Sequence, residues 1–275
     1  MKERKGSFDF ISNCLIVAGA VISYFPLYWL LSSSFKYSHA INNMVPEWFP
    51  KHPTLQNYVN LFSNSNTLRW LFNSVFISTV TTALIVLTSV LAAYAFAKMQ
   101  FKGKKVLFML FIATLMLPKE VYIIPLFKVT QKLGISGGYA GGILPNVALS
   151  FGIFLLEQHF ESIPDALREA ARMDGASEWY IFSGIYVPLI KAGIAALIIL
   201  MFIQVWNDYL WQLIQLTKDE LKTIQLGVAS TQNEQNPDSG LTMAGAVYAA
   251  LPLCIMFLIF QNYFTQGITM GAVKE

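Results

Sequence analysis

The stretch IPDALREAARMDGASEWYIFSGIYVP, residues 163–188, is a charged segment inside an otherwise apolar chain. Uncharged stretches lie on both sides of it, at residues 133–156 and 192–207. Of the 275 residues, 55% are hydrophobic and only 13% are charged, whereas a soluble domain usually carries about 25% charged residues. Much of the surface is therefore expected to face something other than water, either partner proteins or a lipid bilayer.

The lengths of the uncharged stretches favour the bilayer. They cover residues 10–35, 70–97, 133–156, 192–207 and 239–273, and a spanning helix needs about 20 mostly apolar residues. The fourth stretch reaches that length if it continues past Asp208, and a sixth apolar run continues from Val106 through Lys119 and Glu120. The sequence therefore predicts an all-α, polytopic membrane protein with six transmembrane helices, at about Phe10–Leu31, Trp70–Ala97, Lys105–Val129 with a kink at Pro118, Gly137–Leu156, Val187–Leu213 and Leu241–Phe264.

The basic residues near the span ends predict the orientation. Short loops rich in Lys and Arg usually face the cytoplasm, and the basic residues gather before span 1 and between spans 2 and 3: Lys2, Arg4, Lys5, Lys98, Lys102, Lys104 and Lys105. Both termini are therefore expected on the cytoplasmic side. The segment 163–188 connects spans 4 and 5, so it is expected there too.

The chain shows no signature of an enzyme. It has no G-x-x-x-x-G-K-[ST] motif, so it is not predicted to bind the phosphates of ATP. GISGG, residues 134–138, matches the G-x-S-x-G pattern of hydrolases, but no strand is predicted before it, so Ser136 is not expected to be a nucleophile. Cys14 and Cys254 both fall in predicted spans, which speaks against a disulfide and against a metal site.

The segment 163–188 has the pattern of a helix, a turn and a second helix. Pro164 and Asp165 suit a first helical turn, Gly175 suits a left-handed helix end, and Ser177 suits the cap of the next helix. On these residues alone the segment is either a solvated amphipathic link or a docking helix whose small and charged side chains face a partner.

The spacing of this segment resembles the signature of ABC-importer permeases, E-A-A-x-x-x-G followed after nine residues by I-x-L-P. Glu169, Ala170, Ala171 and Gly175 match it, and Ile185–Pro188 matches with valine where leucine is usual. WNDYLWQL at 206–213, TLMLPKEVYIIPLF at 114–127 and GITMGAVKE at 267–275 resemble the carbohydrate-uptake group. The chain is similar to the second, six-span permease subunit of oligosaccharide and sn-glycerol-3-phosphate importers.

The resemblance implies a type I ABC importer permease fold in a bacterial cytoplasmic membrane. It implies a second permease subunit, two ATPase subunits that carry ATP and Mg, and an extracytoplasmic binding protein that delivers a sugar. No cofactor and no nucleic acid are expected for this chain itself. The residues expected to couple transport to the ATPase are Glu169, Ala170, Ala171, Arg172, Asp174 and Gly175.

Ionisable residues inside spans are costly and therefore become candidates for the substrate pathway. Glu120 and Asp208 qualify, and Asn207, Trp206 and Trp211 lie beside Asp208. Hydrogen bonds to sugar hydroxyls and aromatic faces for a sugar ring are one interpretation. An aromatic belt at the outer interface, with Asp208 in water, is the other.

The expected organisation is an N-terminal span and outer loop over residues 1–69, a permease core over 70–264 with its coupling helix at about 163–178, and a cytoplasmic tail over 265–275. The polar loop from Thr217 to Gly240 is either a connector or a contact for the binding protein. A glycerol phosphate or polyol substrate stays open, although Lys119 is the only basic candidate inside a span, which favours a neutral sugar. A secondary transporter is the alternative class, and it would not use the E-A-A spacing.

Overall fold

The computed structural model describes residues 7–63, 66–232 and 238–270, with side chains from residue 12 to residue 260 within those ranges. The described residues form helices and connecting turns, with no strand among them. The α-helices, numbered in chain order, are α1 Ser7–Ser34, α2 Ser38–Ile41, α3 Gln56–Ser63, α4 Thr67–Lys98, α5 Lys104–Leu115, α6 Lys119–Lys132, α7 Tyr139–Ile143, α8 Ser150–Glu161, α9 Ala166–Met173, α10 Glu178–Tyr180, α11 Val187–Leu189, α12 Lys191–Trp206, α13 Tyr209–Gln215, α14 Ile224–Ser230 and α15 Ser239–Met270. The predicted all-α class is confirmed.

Three of the predicted spans are continuous helices. Ser12–Ser34, Thr67–Lys98 and Ser239–Phe260 are long and apolar enough to cross a membrane. Helix α15 continues to Met270, beyond the predicted end of span 6 at Phe264.

The other three predicted spans are pairs of helices that bend sharply. Helices α5 and α6 meet at 108°, the segments Tyr139–Asn146 and Ser150–Glu161 meet at 41°, and Glu178–Leu189 meets α12 at 73°. Six spans result only if each pair counts as one. A kink was predicted only at Pro118. The bends in the other two pairs were not predicted, since hydropathy averages over a window and does not register a local break.

One of these breaks, and a further interruption in the fifth predicted span, have a local cause in the sequence. Pro118 has no backbone N–H to donate and sits in an extended conformation (φ −63°, ψ 138°) between α5 and α6. The expected kink there is thus a full break. The predicted span Val187–Leu213 is also interrupted at Asn207–Asp208, where the side chain of Asp208 caps a new helix by accepting a hydrogen bond from the backbone N–H of Trp211.

The chain divides into two compact units, residues 1–68 with 227–251, and residues 69–226 with 252–275. A continuous core of buried apolar side chains fills the second unit, and its members come mainly from α4, α8, α10–α12 and the segments between them. Tyr94 on α4 packs against Phe160, Phe182 and Tyr186, with ring centroids 5.0–5.5 Å apart. Helix α4 therefore runs through the centre of this unit.

The segment after α13, which the sequence indicated only as a polar loop, contains regular helical structure. It contains a short 3-10 helix, Asp219–Leu221, and α14. Side chains at the start of α4 hold it: Asn73 donates to the carbonyls of Glu220 and Lys222, both at 2.9 Å, and the indole of Trp70 donates to the carbonyl of Asp219 at 2.8 Å. Residues 233–237 of the predicted loop, residues 271–275 of the predicted tail and the basic residues Lys2, Arg4 and Lys5 lie outside the described residues.

Candidate functional site

Helix α9 ends in a well-formed glycine cap. Gly175 has a φ of +79°, the left-handed conformation that most side chains disfavour. The N–H of Ala176 donates to the carbonyl of Ala171 and the N–H of Gly175 donates to that of Arg172, both at 3.0 Å. These two bonds are the Schellman pattern. Ser177 then caps α10 by accepting from the N–H of Tyr180, so the predicted helix, turn and second helix are confirmed.

A network of polar side chains, here called the Glu178 latch, ties α9 to its neighbours. The carboxylate of Glu178 accepts two hydrogen bonds from Arg168, at 2.8 and 3.0 Å, and one from Arg172 at 3.0 Å. The hydroxyl of Tyr94 donates to the same carboxylate at 2.6 Å. Arg168 also donates to the backbone carbonyl of Lys98 at 2.6 Å. The latch, defined as Tyr94, Lys98, Arg168, Arg172 and Glu178, therefore joins the end of α4, the whole of α9 and the start of α10.

Lys98 makes a second connection between α4 and the segment before α9. Its ammonium is almost completely buried and bonds Asp165 and the carbonyl of Ile163, each at 2.7 Å. The hydrogen bond from Lys98 holds the pKa of Asp165 below its ordinary value. The ion pair is therefore present at neutral pH and is lost only when the pH falls through that lowered pKa. Because Asp165 is 73% exposed, the pair adds little free energy by itself.

The opposite side of α9 is open. Glu169, Ala170 and Met173 are exposed, and so are Asp174 and Gly175 in the turn. Ala171 is different, because it is buried in the apolar core with Ile163 and Ile181. It therefore seats α9 on its own chain, and only the remaining residues are available to a partner.

A second polar site lies where two of the broken spans are interrupted. Lys119 begins α6 just after the break at Pro118, and Asp208 stands at the break between α12 and α13. The ammonium of Lys119 is 2.6 Å from the carboxylate of Asp208, and it also donates to the side-chain oxygen of Asn146 at 3.3 Å. Asn146 in turn donates to the carbonyl of Gly142 at 3.0 Å. The ion pair thus joins two interruptions that are far apart in sequence.

A cavity of about 120 Å³ opens beside this pair. Its polar lining comes from Lys119, Asn146, Gln204 and Asp208. Its apolar lining comes from Ile85, Leu149, Met201 and Val205. Lys119 is 31% exposed and Asp208 14%, so the pair borders the cavity without being sealed off from it.

The charged helix–turn–helix that carries the permease signature is thus present in the structure, and comparison with known protein families agrees with that signature. The model of the family described as binding-protein-dependent transport system inner membrane component matches residues 85–270. The chain belongs to this family. It is a subunit for transport across the inner membrane rather than an enzyme.

Two curated relatives match over nearly their full length. The permease is 36% identical to the arabinooligosaccharides transport system permease protein AraQ of Bacillus subtilis, over 91% of this chain and 90% of the relative. It is 33% identical to the lactose transport system permease protein LacG of Rhizobium radiobacter, over 97% and 96%. Its fold matches a chain of a bacterial ABC transporter involved in the import of the acidic polysaccharide alginate, with a TM-score of 0.83 at 24% identity, over 94% and 96% of the two chains.

The permease places the predicted pathway residues in different environments. Asp208 borders the cavity, whereas Glu120, the neighbour of Lys119, is exposed and is not among the cavity's lining residues. Asn207 is exposed and donates to the carbonyl of Ile203. Trp206 is 3% exposed and Trp211 has no exposed surface. Both tryptophans are thus packed inside the chain in this structure, and a contact of either one with a sugar ring stays a prediction.

Several residues of both sites were not singled out from the sequence: Tyr94, Lys98, Glu178, Lys119 as the partner of Asp208, Asn146 and Gln204. Glu178 directly follows the predicted capping residue Ser177 and was not predicted to form an ion pair, although its acidic charge so close to Arg168 and Arg172 was a usable signal. No such signal was present for Asn146 and Tyr94, because a single polar residue in an apolar run does not reveal its partner on another helix.

The structure also shows the surroundings of Ser136 and of the side chains that could hold a metal. The hydroxyl of Ser136 donates to the side chain of Gln215 at 3.2 Å, which is a structural contact. Among the described residues, no group of three or more His, Cys, Asp or Glu side chains is placed to hold a metal ion.

Trp211 is expected to act through packing and not through the substrate. Its indole N–H donates to the carbonyl of Gly141 at 3.0 Å. Replacing Trp211 with phenylalanine removes that bond and part of the ring, which should destabilise the permease by about 1–2 kcal/mol. We expect a lower melting temperature in thermal unfolding with an unchanged substrate affinity. A weaker affinity at unchanged stability would contradict this role.

Proposed function

We propose that this permease forms half of the translocation pathway of an ATP-driven carbohydrate importer and that α9 couples it to an ATPase. The observation that carries the proposal is the pairing of an exposed face on α9 with a rigid attachment behind it. Glu169 and Ala170 are open to a partner, while Arg168 and Glu178 fix the helix to α4. A helix that is held on one side and open on the other is suited to transmit a partner's movement.

The assembly that we propose contains a second permease subunit, two ATPase subunits and an extracytoplasmic binding protein. The family description, a binding-protein-dependent transport system, supports the last of these. ATP and Mg bind to the ATPase subunits. Helix α9 and both termini of the permease lie on the cytoplasmic side. The names of the relatives, which transport arabinooligosaccharides and lactose, support a carbohydrate substrate.

Within α9 and its turn the proposed roles differ by position. Glu169 pairs with a basic group of the ATPase, Ala170 allows close approach, and Asp174 and Gly175 shape the end of the helix that enters the partner's groove. Arg172 already forms an ion pair with Glu178, so only part of its hydrogen-bonding capacity is available to the ATPase. Ala171 packs against the core of its own chain and holds α9 in position.

Helix α4 gives this coupling a route through the membrane. Its 32 residues span about 48 Å at 1.5 Å per residue. One end carries Tyr94 and Lys98 of the latch, and the other end holds residues 219–222 through Trp70 and Asn73. A movement of α9 is therefore carried along α4 to the segment that follows α13. The cavity beside Asp208 lies between these two ends and is the proposed contact with the substrate.

The proposal is tested by reversing the charge of Glu169. Tagged permease purified from membranes of its host should retain the ATPase subunits, and Glu169→Lys should reduce the retained ATPase severalfold, because a like charge then faces the basic group. Glu161→Lys is the matched control, since Glu161 is also exposed but lies at the end of α8. Full ATPase retention by Glu169→Lys, or the same loss in both variants, would count against α9 as the docking element.

A further inference from the structure

The cavity beside Lys119 and Asp208 carries an inference about the charge of the substrate. Its only charged lining residues are these two, within the part of the chain that the structure describes, and they are in direct contact at 2.6 Å. The lining is therefore electrically neutral as a whole. We infer that this cavity binds a neutral, hydroxyl-bearing sugar unit and discriminates against an anionic one; the inference rests on the proposed function in carbohydrate import.

The hydrogen-bonding capacity of the lining suits hydroxyl groups. An ammonium has three N–H donors, and Lys119 uses two of them on Asp208 and Asn146. A carboxylate accepts about four hydrogen bonds, and Asp208 receives one from Lys119 and one from the N–H of Trp211. A hydroxyl is both donor and acceptor, so it can use the third N–H and the remaining lone pairs while the ion pair stays intact.

The cavity offers no comparable binding position to an anionic group. A carboxylate or phosphate on the substrate is attracted by Lys119 and repelled to a similar degree by Asp208, because the two charges are adjacent. The cost of removing the anion from water is then left without compensation. Separating the ion pair to free Lys119 would leave Asp208 without its partner in a partly buried position, which is also unfavourable.

The size and the apolar wall of the cavity complete the match. A volume of about 120 Å³ is several times what a single water molecule needs, which leaves room for one part of a sugar ring. Ile85, Leu149 and Met201 offer an apolar surface for the C–H face of that ring. The cavity therefore takes one edge of a sugar unit, and the rest of an oligosaccharide extends beyond it.

The experiment measures ligand binding to the whole importer, the permease with its partner permease and ATPases in lipid nanodiscs, without an extracytoplasmic binding protein. The probes are arabinotriose and lactose as neutral saccharides and a trimannuronate from alginate as the anionic one. We expect at least one neutral saccharide to bind at least tenfold more tightly than trimannuronate. Equal binding, or a preference for trimannuronate, would overturn the inference.

Variants of the ion pair separate the charge effect from damage to the fold. Asp208→Asn leaves Lys119 without its counter-charge, so it should weaken the neutral saccharide severalfold and strengthen trimannuronate severalfold. Lys119→Met combined with Asp208→Asn removes both charges and should restore the preference for the neutral probe. Glu161→Gln removes a distant exposed charge and should leave both affinities unchanged.

The outcomes also distinguish this inference from the proposed function. If Asp208→Asn changes the affinities for both classes of probe in the same direction, the cavity does not select by charge and the inference fails. Retained ATPase subunits after purification, together with ATP-dependent uptake by the complex in sealed proteoliposomes supplied with its binding protein, would leave the proposed function standing. If the unmodified permease retains no ATPase during purification, it is the proposed function that fails.

Discussion

Replacement of Gly175 by valine is expected to lower ATP-driven uptake by about tenfold or more. A side chain in the left-handed region costs roughly 1–2 kcal/mol, and more when it is β-branched. A Cβ at Gly175 would meet nothing within 4 Å inside the chain, so the strain is in the backbone. Relief of that strain opens the turn after Met173 and changes the direction in which α9 meets the ATPase. Uptake and ATPase retention, measured together, check this.

Gly134 offers a control with nearly the same local geometry. It has a φ of +69°, and a Cβ there would also meet nothing within 4 Å. It ends α6 with the same two capping hydrogen bonds, from Ile135 to Thr130 and from Gly134 to Gln131. Gly134→Val therefore reports the backbone cost at a site away from α9. It should lower stability to a similar degree while ATPase retention stays normal.

Asparagine at Gly175 separates the backbone from the partner's groove. Asn tolerates the left-handed conformation better than most other residues that carry a side chain, so Gly175→Asn should recover most of the uptake if the turn conformation is what matters. A loss as severe as that of valine would mean that the groove accepts no side chain there. Normal uptake by Gly175→Val would refute a coupling role for this turn.

Replacement of Glu178 by alanine is expected to release α9 from α4. The change removes the acceptor of Tyr94, Arg168 and Arg172 at once. Tyr94 is 4% exposed and the Arg168 side chain 16%, so both lose an acceptor where water replaces it poorly. Hydrogen bonds to a charged group contribute about 1.5–3 kcal/mol, which predicts a loss of stability of about 2 kcal/mol.

The functional effect of Glu178→Ala should exceed its effect on stability. ATP hydrolysis should continue while uptake per ATP falls by about tenfold, because a loosely held α9 no longer moves α4. Glu178→Gln keeps an oxygen acceptor and should recover part of the uptake, whereas Glu161→Ala, at an exposed residue that enters none of the ion pairs among the described residues, should resemble the unmodified permease. Equal losses of hydrolysis and uptake would indicate disassembly instead of uncoupling.

The contrast between α9 and the broken spans shows what local sequence reveals. The bounds of α9 and the start of α10 were predictable because each depends on residues close together in the chain: the acidic first turn of α9, the left-handed glycine after it and the serine that caps α10. The role of α9 as a possible docking helix rested on the resemblance of Glu169–Gly175 and Ile185–Pro188 to the permease signature. In contrast, the span predicted over Val187–Leu213 was interrupted at Asp208, because hydropathy records how apolar a segment is and not whether its backbone continues.

The burial of the tryptophans near Asp208 was not predictable from the sequence for a related reason. Aromatic residues beside a polar pair are equally compatible with a binding surface, an interfacial belt and a packed interior. Trp211 lies in the interior, where Gly141 on α7 accepts its N–H, and nothing local to 206–213 specifies that contact.

By itself, the sequence determined the helical class, the membrane location, the helix–turn–helix of residues 163–188 and the family, since each of these depends on composition or on the spacing of residues close together in the chain. The tertiary structure alone decided which charges are neighbours. Lys119 meets Asp208 across 89 positions, and Tyr94 meets Glu178 across 84. In an apolar interior a charged or polar side chain needs a partner, but the identity of that partner depends on how the helices pack.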